Sequence, residues 1–299
     1  MKMDRMISCY FPTTVVFITD NFNYFTNVQF ELSTKNAAYK FFSDPLDAAR
    51  FLHHDYQIEP FLKKCLISIK ENDQGQRIIH VDVPAIHKEI YNNTRFDQIS
   101  VMIVDYTIPN MSEAVLTQQL KGQGVQIILL IDAKDEALAS TLFNQGVIQR
   151  FIRKDLSNFT HVLNITIESL QHEYFQKLSE IIFYSIAQKS INPNCPLPMF
   201  LTDPMFIQFF SDFLREYSIT EYYLIEEKGS FLCLNEQGTP SWLLVKHQDS
   251  LKEKDWRYVL YPVNKLLGKD NYYCYLKTSP RDFEMQTDKI ASYVEYRTR

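Results

Sequence analysis

The chain contains little glycine, and this scarcity excludes two common kinds of nucleotide site. Seven glycines occur among its 299 residues, which is about 2%, whereas average proteins have about 7%. Their spacing forms neither the Gly-rich fingerprint of a dinucleotide-binding turn nor a P-loop. The sequence therefore does not favour an NAD-dependent enzyme or a P-loop nucleotidase.

Paired cysteines and long apolar runs are also missing. The five cysteines form no C-x-x-C pair, so we expect no disulfide framework, no zinc knuckle and a reducing compartment. No apolar run approaches the ~18 residues of a membrane span, and residues 1–14 lack the apolar core of a signal peptide. We therefore expect a soluble, cytoplasmic protein with no membrane partner.

The chain has no large excess of charge of one sign. Lysine and arginine number 31 and aspartate and glutamate 36, which gives a net charge of −5. This balance argues against nonspecific binding to nucleic acid or to anionic lipid. The second half has no helix-turn-helix pattern with a basic recognition helix. We therefore expect no direct contact with nucleic acid.

The first half of the chain alternates short apolar segments with stretches of helical periodicity. The apolar segments are 15–20, 37–43, 100–105, 125–131 and 147–152. Such alternation is typical of a parallel sheet covered by helices on both faces. It predicts an α/β fold of the flavodoxin-like, doubly wound kind with five parallel strands.

Two segments depart from this alternation. Residues 56–97 form an insertion with a predicted β-hairpin around 72–75, and an insertion of this length needs a function or a packing partner. A helix predicted from Ser157 to about Gln188 is more than twice the mean helix length. We interpret this helix either as a bridge between two domains or as a surface for self-association.

A proline-rich break at 192–198 marks a domain boundary. After it, Asp203 begins a predicted helix with an aromatic face, and four strand candidates follow, joined in part by hairpin turns. This pattern predicts a small α+β domain with an antiparallel sheet. Within it, Gly229-Ser230 resembles the start of a nucleotidyltransferase motif, but the strand 241–245 carries no carboxylates for such an enzyme, so a hairpin turn is the other interpretation.

Charged residues follow three of the buried strands in the first half. Asp20 ends the first strand, Asp105 ends the third and Lys154 follows the fifth. Ligands of open parallel sheets bind at the carboxyl ends of the strands. Two carboxylates there repel each other unless a cation lies between them, and Mg²⁺ prefers carboxylates together with carbonyl, water and phosphate oxygens. This set suits the binding of Mg²⁺ and a phosphoryl group.

At these residues the sequence resembles the receiver domain of two-component response regulators. The resemblance covers residues 13–172, and its carriers are Thr19-Asp20-Asn21, the run Met-Ile-Val-Asp105-Tyr-Thr107-Ile-Pro109, and the run Phe151-Ile-Arg-Lys154. It implies that Asp105 accepts a phosphoryl group. It also implies that Asp20, Asp105 and the carbonyl of Thr107 bind Mg²⁺, and that Lys154 contacts the phosphoryl group.

The chain departs from the family pattern at three places, one of which is Glu113, where the family commonly has a glycine. Thr19 stands where the family has a second acidic residue, and Ile131 stands at the switch position where the family has a hydroxyl group. Because isoleucine cannot donate a hydrogen bond, coupling to the aromatic switch position, Phe151, cannot operate in its usual form. We expect Asp105 to remain phosphorylatable with a different readout.

The resemblance also sets the expected organisation and function. The expected domains are a receiver at 13–172, a linker helix at 173–190 and an output domain at 191–299. Over its whole length the chain resembles atypical response regulators of the Legionella quorum-sensing type. The implied partners are a histidine kinase or phosphotransfer protein and a second copy in a homodimer, with no enzymatic turnover.

Two alternatives remain open from the sequence. The first is a pseudo-receiver, which uses the fold for binding without phosphorylation. The second is an output domain with nucleotide-transforming activity.

Overall fold

A computed structural model of the protein describes residues 5–188, 203–247 and 272–277. Short gaps within these ranges lie at 22–25, 27, 29, 35, 57, 72–76, 110, 113, 117–119, 121–123 and 228. The predicted helices at 21–34 and from Ser112 are only partly described, and the predicted break at 192–198 lies outside the described residues.

The strands and α-helices have the following bounds. The strands are β1 Cys9–Tyr10, β2 Thr13–Ile18, β3 Ala37–Phe42, β4 Leu66–Glu71, β5 Arg77–Val81, β6 Ile99–Asp105, β7 Gln126–Ile131, β8 Arg150–Arg153, β9 Ile219–Leu224, β10 Phe231–Asn235, β11 Pro240–His247 and β12 Tyr272–Lys277. The helices are α1 Pro45–Arg50, α2 Phe61–Cys65, α3 Val83–Lys88, α4 Glu136–Asn144, α5 Phe159–Gln188 and α6 Pro204–Glu216.

The chain divides into two compact units. The parallel-sheet unit comprises Phe11–Lys64 and Ile90–Leu178, and the antiparallel-sheet unit comprises Met1–Tyr10, Cys65–Glu89 and Ser179–Arg299. Part of the predicted insertion, including the β4–β5 hairpin, therefore groups with the second unit, and α5 contributes residues to both. The domain boundaries at 13–172, 173–190 and 191–299 stay a prediction.

The parallel-sheet unit has the predicted doubly wound sheet. Its strand order is β3-β2-β6-β7-β8, and every neighbouring pair is parallel. Strands β2, β6 and β7 are buried along their whole length, as expected when helices cover both faces. Val16 and Ile18 pack into one core layer, and Val15 and Phe17 into the other. The flavodoxin-like fold class is confirmed.

Local sequence signals explain how the helices of this unit begin and pack. Asp44 caps α1, since its carboxylate accepts a hydrogen bond from the backbone N–H of Leu46 at 2.8 Å, and Pro45 stands at the first helical position. Helix α5 is 30 residues long, as the periodicity predicts. Leu163 and Ile167 of α5 belong to one of the two core layers of the sheet.

The antiparallel-sheet unit contains the predicted α+β elements and one strand that the sequence analysis did not predict. The strand order is β1-β9-β10-β11-β12, and β1 pairs with β9 through Cys9 and Tyr223. On α6, the ring of Phe210 lies 4.6 Å from that of Phe231 and 5.2 Å from that of Tyr222, centroid to centroid. These rings form an aromatic core between helix and sheet.

Within the described residues, no helix is both long and apolar enough to cross a lipid bilayer.

Candidate functional site

The topology of the parallel sheet predicts where a ligand site should lie. The strand order reverses between β2 and β6, because the chain adds β3 on one side of β2 and the later strands of this sheet, β6, β7 and β8, on the other. Ligands of such sheets bind at the carboxyl ends of the strands at this switch point. Asp105 is the last residue of β6, and Thr19 directly follows β2. Both residues therefore lie at the expected place.

Asp105 is the centre of the side-chain cluster at this edge. Its side chain is only 5% exposed, yet both carboxylate oxygens have donors. Oδ2 accepts a hydrogen bond from Thr19 Oγ1 at 3.1 Å. Oδ1 accepts one from the backbone N–H of Thr107 at 3.0 Å and one from Thr107 Oγ1 at 2.8 Å. These bonds hold the carboxylate in a fixed orientation and balance the cost of its burial.

Lys154 supplies the positive charge next to this carboxylate. It directly follows β8, and its Nζ lies 3.1 Å from Asp105 Oδ1 and 2.7 Å from Thr107 Oγ1. The Lys154 side chain is 20% exposed, so solvent screens the pair only in part. Asp105, Thr107 and Lys154, which the sequence analysis singled out, thus come together although Lys154 is 49 residues from Asp105 along the chain.

The structure adds a carboxylate to the site that the sequence analysis missed. Asp132 Oδ1 lies 3.3 Å from Lys154 Nζ. Ile131, the predicted switch position, is fully buried in the core layer that also contains Leu129, so at the end of β7 the side chain facing Lys154 is that of Asp132. A general signal could have identified Asp132. It is the first residue after a strand of this sheet, as are Thr19 and Lys154.

Two other predicted site residues have no described contact with this cluster. Asp20 follows Thr19 and is exposed, and no bond between it and Asp105 occurs among the described contacts. Phe151 is half-buried on β8, where its ring packs edge-on against Phe143 of α4 at a centroid distance of 6.4 Å. Their roles in metal binding and switching stay predictions.

Arg153 precedes Lys154 but pairs with other carboxylates. Its Nη2 lies 2.7 Å from Asp155 Oδ2, and its Nη1 lies 3.6 Å from Glu136 Oε2. The hydrogen bond from Arg153 lowers the pKa of Asp155. The two neighbouring cations at the end of β8 therefore form ion pairs with different carboxylates. Of the two, Lys154 pairs with Asp105.

The donor chemistry of the site fits Mg²⁺ in type. Among the described residues, no three Asp, Glu, His or Cys side chains come together in a way that could hold a metal ion. A magnesium ion would depend instead on the carboxylates of Asp105 and Asp20 and the carbonyl of Thr107, completed by water or phosphate oxygens. That ligand set is common for Mg²⁺, which keeps several waters and needs only one or two carboxylates.

The comparisons with known proteins rest on structure, since no family model and no curated protein matches this sequence. The structure of the Legionella pneumophila response regulator LqsR is 25% identical, has a TM-score of 0.69, and matches over 92% of this chain and 89% of its own. A response regulator receiver domain protein from Clostridium thermocellum is 16% identical, with a TM-score of 0.35 over 56% of this chain and 98% of its own. Full-length FixJ from B. japonicum is 12% identical, with a TM-score of 0.37 over 69% of this chain and 90% of its own.

The likeness to LqsR extends over both units of the chain, and the strand order of the parallel sheet agrees with the fold that the sequence resemblance implied. The chain therefore has the receiver fold of two-component response regulators and is similar over nearly all of its length to the response regulator LqsR.

Proposed function

We propose that the chain is a response regulator that accepts a phosphoryl group on Asp105 and relays this event to its C-terminal part. The main support is the cluster at the sheet edge, where a buried carboxylate touches a lysine ammonium at 3.1 Å and two threonines hold its orientation. This arrangement has the parts that phosphoryl transfer needs, which are a positioned nucleophile and a preorganised positive charge.

Asp105, Lys154 and the two threonines each have a defined part in the proposed reaction. An oxygen of the Asp105 carboxylate forms a bond to phosphorus, and the bond between phosphorus and the donor's leaving group breaks. Lys154 stabilises the negative charge on the phosphoryl oxygens, while Thr19 and Thr107 hold the carboxylate in place by hydrogen bonds. When bound, Mg²⁺ would supply further positive charge beside the phosphoryl oxygens.

The partners that we propose follow from this function. A histidine kinase or phosphotransfer protein would supply the phosphoryl group. The added negative charge would rearrange the loops around Asp105, and we propose that this shifts the balance between monomer and homodimer. Light scattering with and without beryllofluoride tests this step, and a single unchanged mass in both conditions would contradict it.

Intact mass spectrometry after incubation with acetyl phosphate and Mg²⁺ tests the proposed function. Wild type should gain the mass of one phosphoryl group, and Asp105→Asn should gain none, because an amide is no nucleophile for phosphorus. Asp155→Asn is a matched control, since it removes an exposed carboxylate that pairs with Arg153 instead of Lys154. If wild type gains no mass, the chain acts as a phosphorylation-independent pseudo-receiver. If Asp105→Asn gains as much as wild type, Asp105 is not the phosphoacceptor and the proposal fails.

A further inference from the structure

Lys154 contacts two carboxylates, and the second of them has no part in the function proposed above. Its Nζ lies 3.1 Å from Asp105 Oδ1 and 3.3 Å from Asp132 Oδ1. With both carboxylates ionised, these three groups carry one net negative charge. A phosphoryl anion that approaches Lys154 must therefore enter a group of charges that already has more negative than positive charge.

The two carboxylates differ in how they are held. The Asp105 side chain is 5% exposed and accepts hydrogen bonds from Thr19 and Thr107 in addition to its contact with the ammonium. The Asp132 side chain is 45% exposed, and Lys154 is its partner among the described ion pairs. Asp132 can therefore lose the ammonium to an anion without leaving a buried charge, but its own charge then remains beside that anion.

We infer that Asp132 is a positioning residue that restrains the entry of phosphoryl anions at the Asp105–Lys154 pair. It acts in two ways: it shares the ammonium that the anion needs, and it repels the charge that the anion brings, about 1.5 to 2 negative charges at neutral pH. For covalent uptake on Asp105, this inference rests on the proposed function. For the binding of free phosphate, it does not.

The chemical step is the same with and without Asp132. An Asp105 oxygen attacks the phosphorus of acetyl phosphate, the new O–P bond forms, the P–O bond to the acetyl group breaks, and acetate leaves with the electron pair. Asp132 takes no proton and forms no bond in this step. Its removal should therefore change the rate of uptake and the affinity for anions, but leave the product unchanged.

Asp132→Asn tests the inference with two measurements. The first is the affinity for inorganic phosphate in EDTA, read from the rise in melting temperature with phosphate concentration. The second is the initial rate of mass gain with acetyl phosphate and Mg²⁺. Both should rise about three- to tenfold, from the Coulomb energy of like charges several ångströms apart at a half-exposed site. The gain should shrink as salt is added, since an exposed charge is screened.

Two further variants isolate the charge effect. Glu136→Gln removes a carboxylate of similar exposure, 51%, that pairs with Arg153 at 3.6 Å, and it should leave both measurements unchanged. Adding Lys154→Ala to Asp132→Asn should abolish the gain in phosphate affinity, because the ammonium that binds the anion is lost. Asp132→Ala should behave like Asp132→Asn, and it replaces that variant in the tests if Asp132→Asn does not melt cooperatively.

The outcomes separate this inference from the proposed function. Unchanged or weaker phosphate binding in Asp132→Asn overturns the inference, and so does a gain that persists without Lys154. If none of the proteins takes up a covalent phosphoryl group, the proposed function fails, and the phosphate titration still decides whether Asp132 restrains anions.

Discussion

The two units each contain a contact between a carboxylate and a buried hydroxyl group, but the contacts are built differently. In the parallel-sheet unit, Asp105 and Thr19 are 86 residues apart and meet because their strands are neighbours in the sheet. In the antiparallel-sheet unit, Ser230 donates to Glu226 only four residues away. The first contact brings separate strand ends together, whereas the second closes one turn.

The two contacts also differ in the groups that surround them. Asp105 has the ammonium of Lys154 beside it. Ser230 instead accepts a hydrogen bond from the backbone N–H of Val245 at 3.1 Å, and Gly229, just before it, has a φ of +103° that favours glycine. Similar pairs of groups therefore have different surroundings in the two units. In the function that we propose, the Asp105 cluster receives a phosphoryl group, whereas the Ser230 contact joins two residues that flank a hairpin turn.

The largest expected effect is that of Lys154→Ala on phosphoryl uptake. Loss of the ammonium should lower the rate of mass gain with acetyl phosphate about 10²- to 10³-fold, as for the loss of one preorganised charge-stabilising group. Arg153→Ala is the control, because this neighbouring cation pairs with Asp155 and Glu136, and its rate should stay near that of wild type. Equal losses in the two variants would mean that only the general positive charge at the end of β8 matters.

A second prediction concerns the pH dependence of stability in the antiparallel-sheet unit. Burial lowers the pKa of His87, in α3, to about 4, with a smaller contribution from Lys88, whereas an unfolded histidine titrates near 6.5. The folded state therefore disfavours protonation. The stability that the neutral His87 ring contributes is fully present above pH 6.5 and is lost as the pH falls towards 4. The free energy of unfolding should fall by up to about 3 kcal/mol over this range.

Urea unfolding at pH 7 and at pH 4.5 measures this loss. His87→Leu should show a smaller fall in the free energy of unfolding between the two pH values than wild type, because the titrating ring is gone. His53→Leu, at an exposed histidine of the parallel-sheet unit, should keep the full difference. Identical pH dependence of His87→Leu and wild type would contradict the prediction.

The smallest expected effect is that of Ser230→Ala, and it concerns stability alone. The substitution leaves the N–H of Val245 and the carboxylate of Glu226 without the hydroxyl partner, so it should lower the free energy of unfolding by about 1 to 3 kcal/mol. Phosphoryl uptake on Asp105 should not change. A loss of uptake at unchanged stability would show that Ser230 does more than hold its hairpin.

Much of the fold could be predicted from the sequence because buried parallel strands appear as continuous apolar runs. The apolar runs around Val16 and Ile103 predict the parallel sheet. The charged residues at the ends of such runs predict that Asp105 and Lys154 belong to one site. Asp132 was missed for a physical reason. The resemblance placed the switch position on Ile131, whereas the side chain at the end of β7 that faces Lys154 belongs to the next residue.

The unpredicted strand β1 has another cause. Two residues are too short to show the alternation of a strand, and their partner lies in β9, more than 200 residues away in the chain. No local pattern carries information about such a pairing. The hairpin turn around Gly229, in contrast, could be predicted because its signal and its partners lie within a few residues.

The pairing of β1 with β9 has a consequence for the order in which the chain can fold during synthesis. All strands of the parallel sheet have been made once Arg153 is added, whereas Cys9 and Tyr10 must wait for residues 222–223 before their edge of the second sheet can form. Contacts this distant in sequence form slowly, and an unpaired strand meanwhile exposes its backbone to other chains. A fusion partner or truncation at the N-terminus would therefore be expected to disturb the antiparallel sheet and to leave the parallel sheet intact.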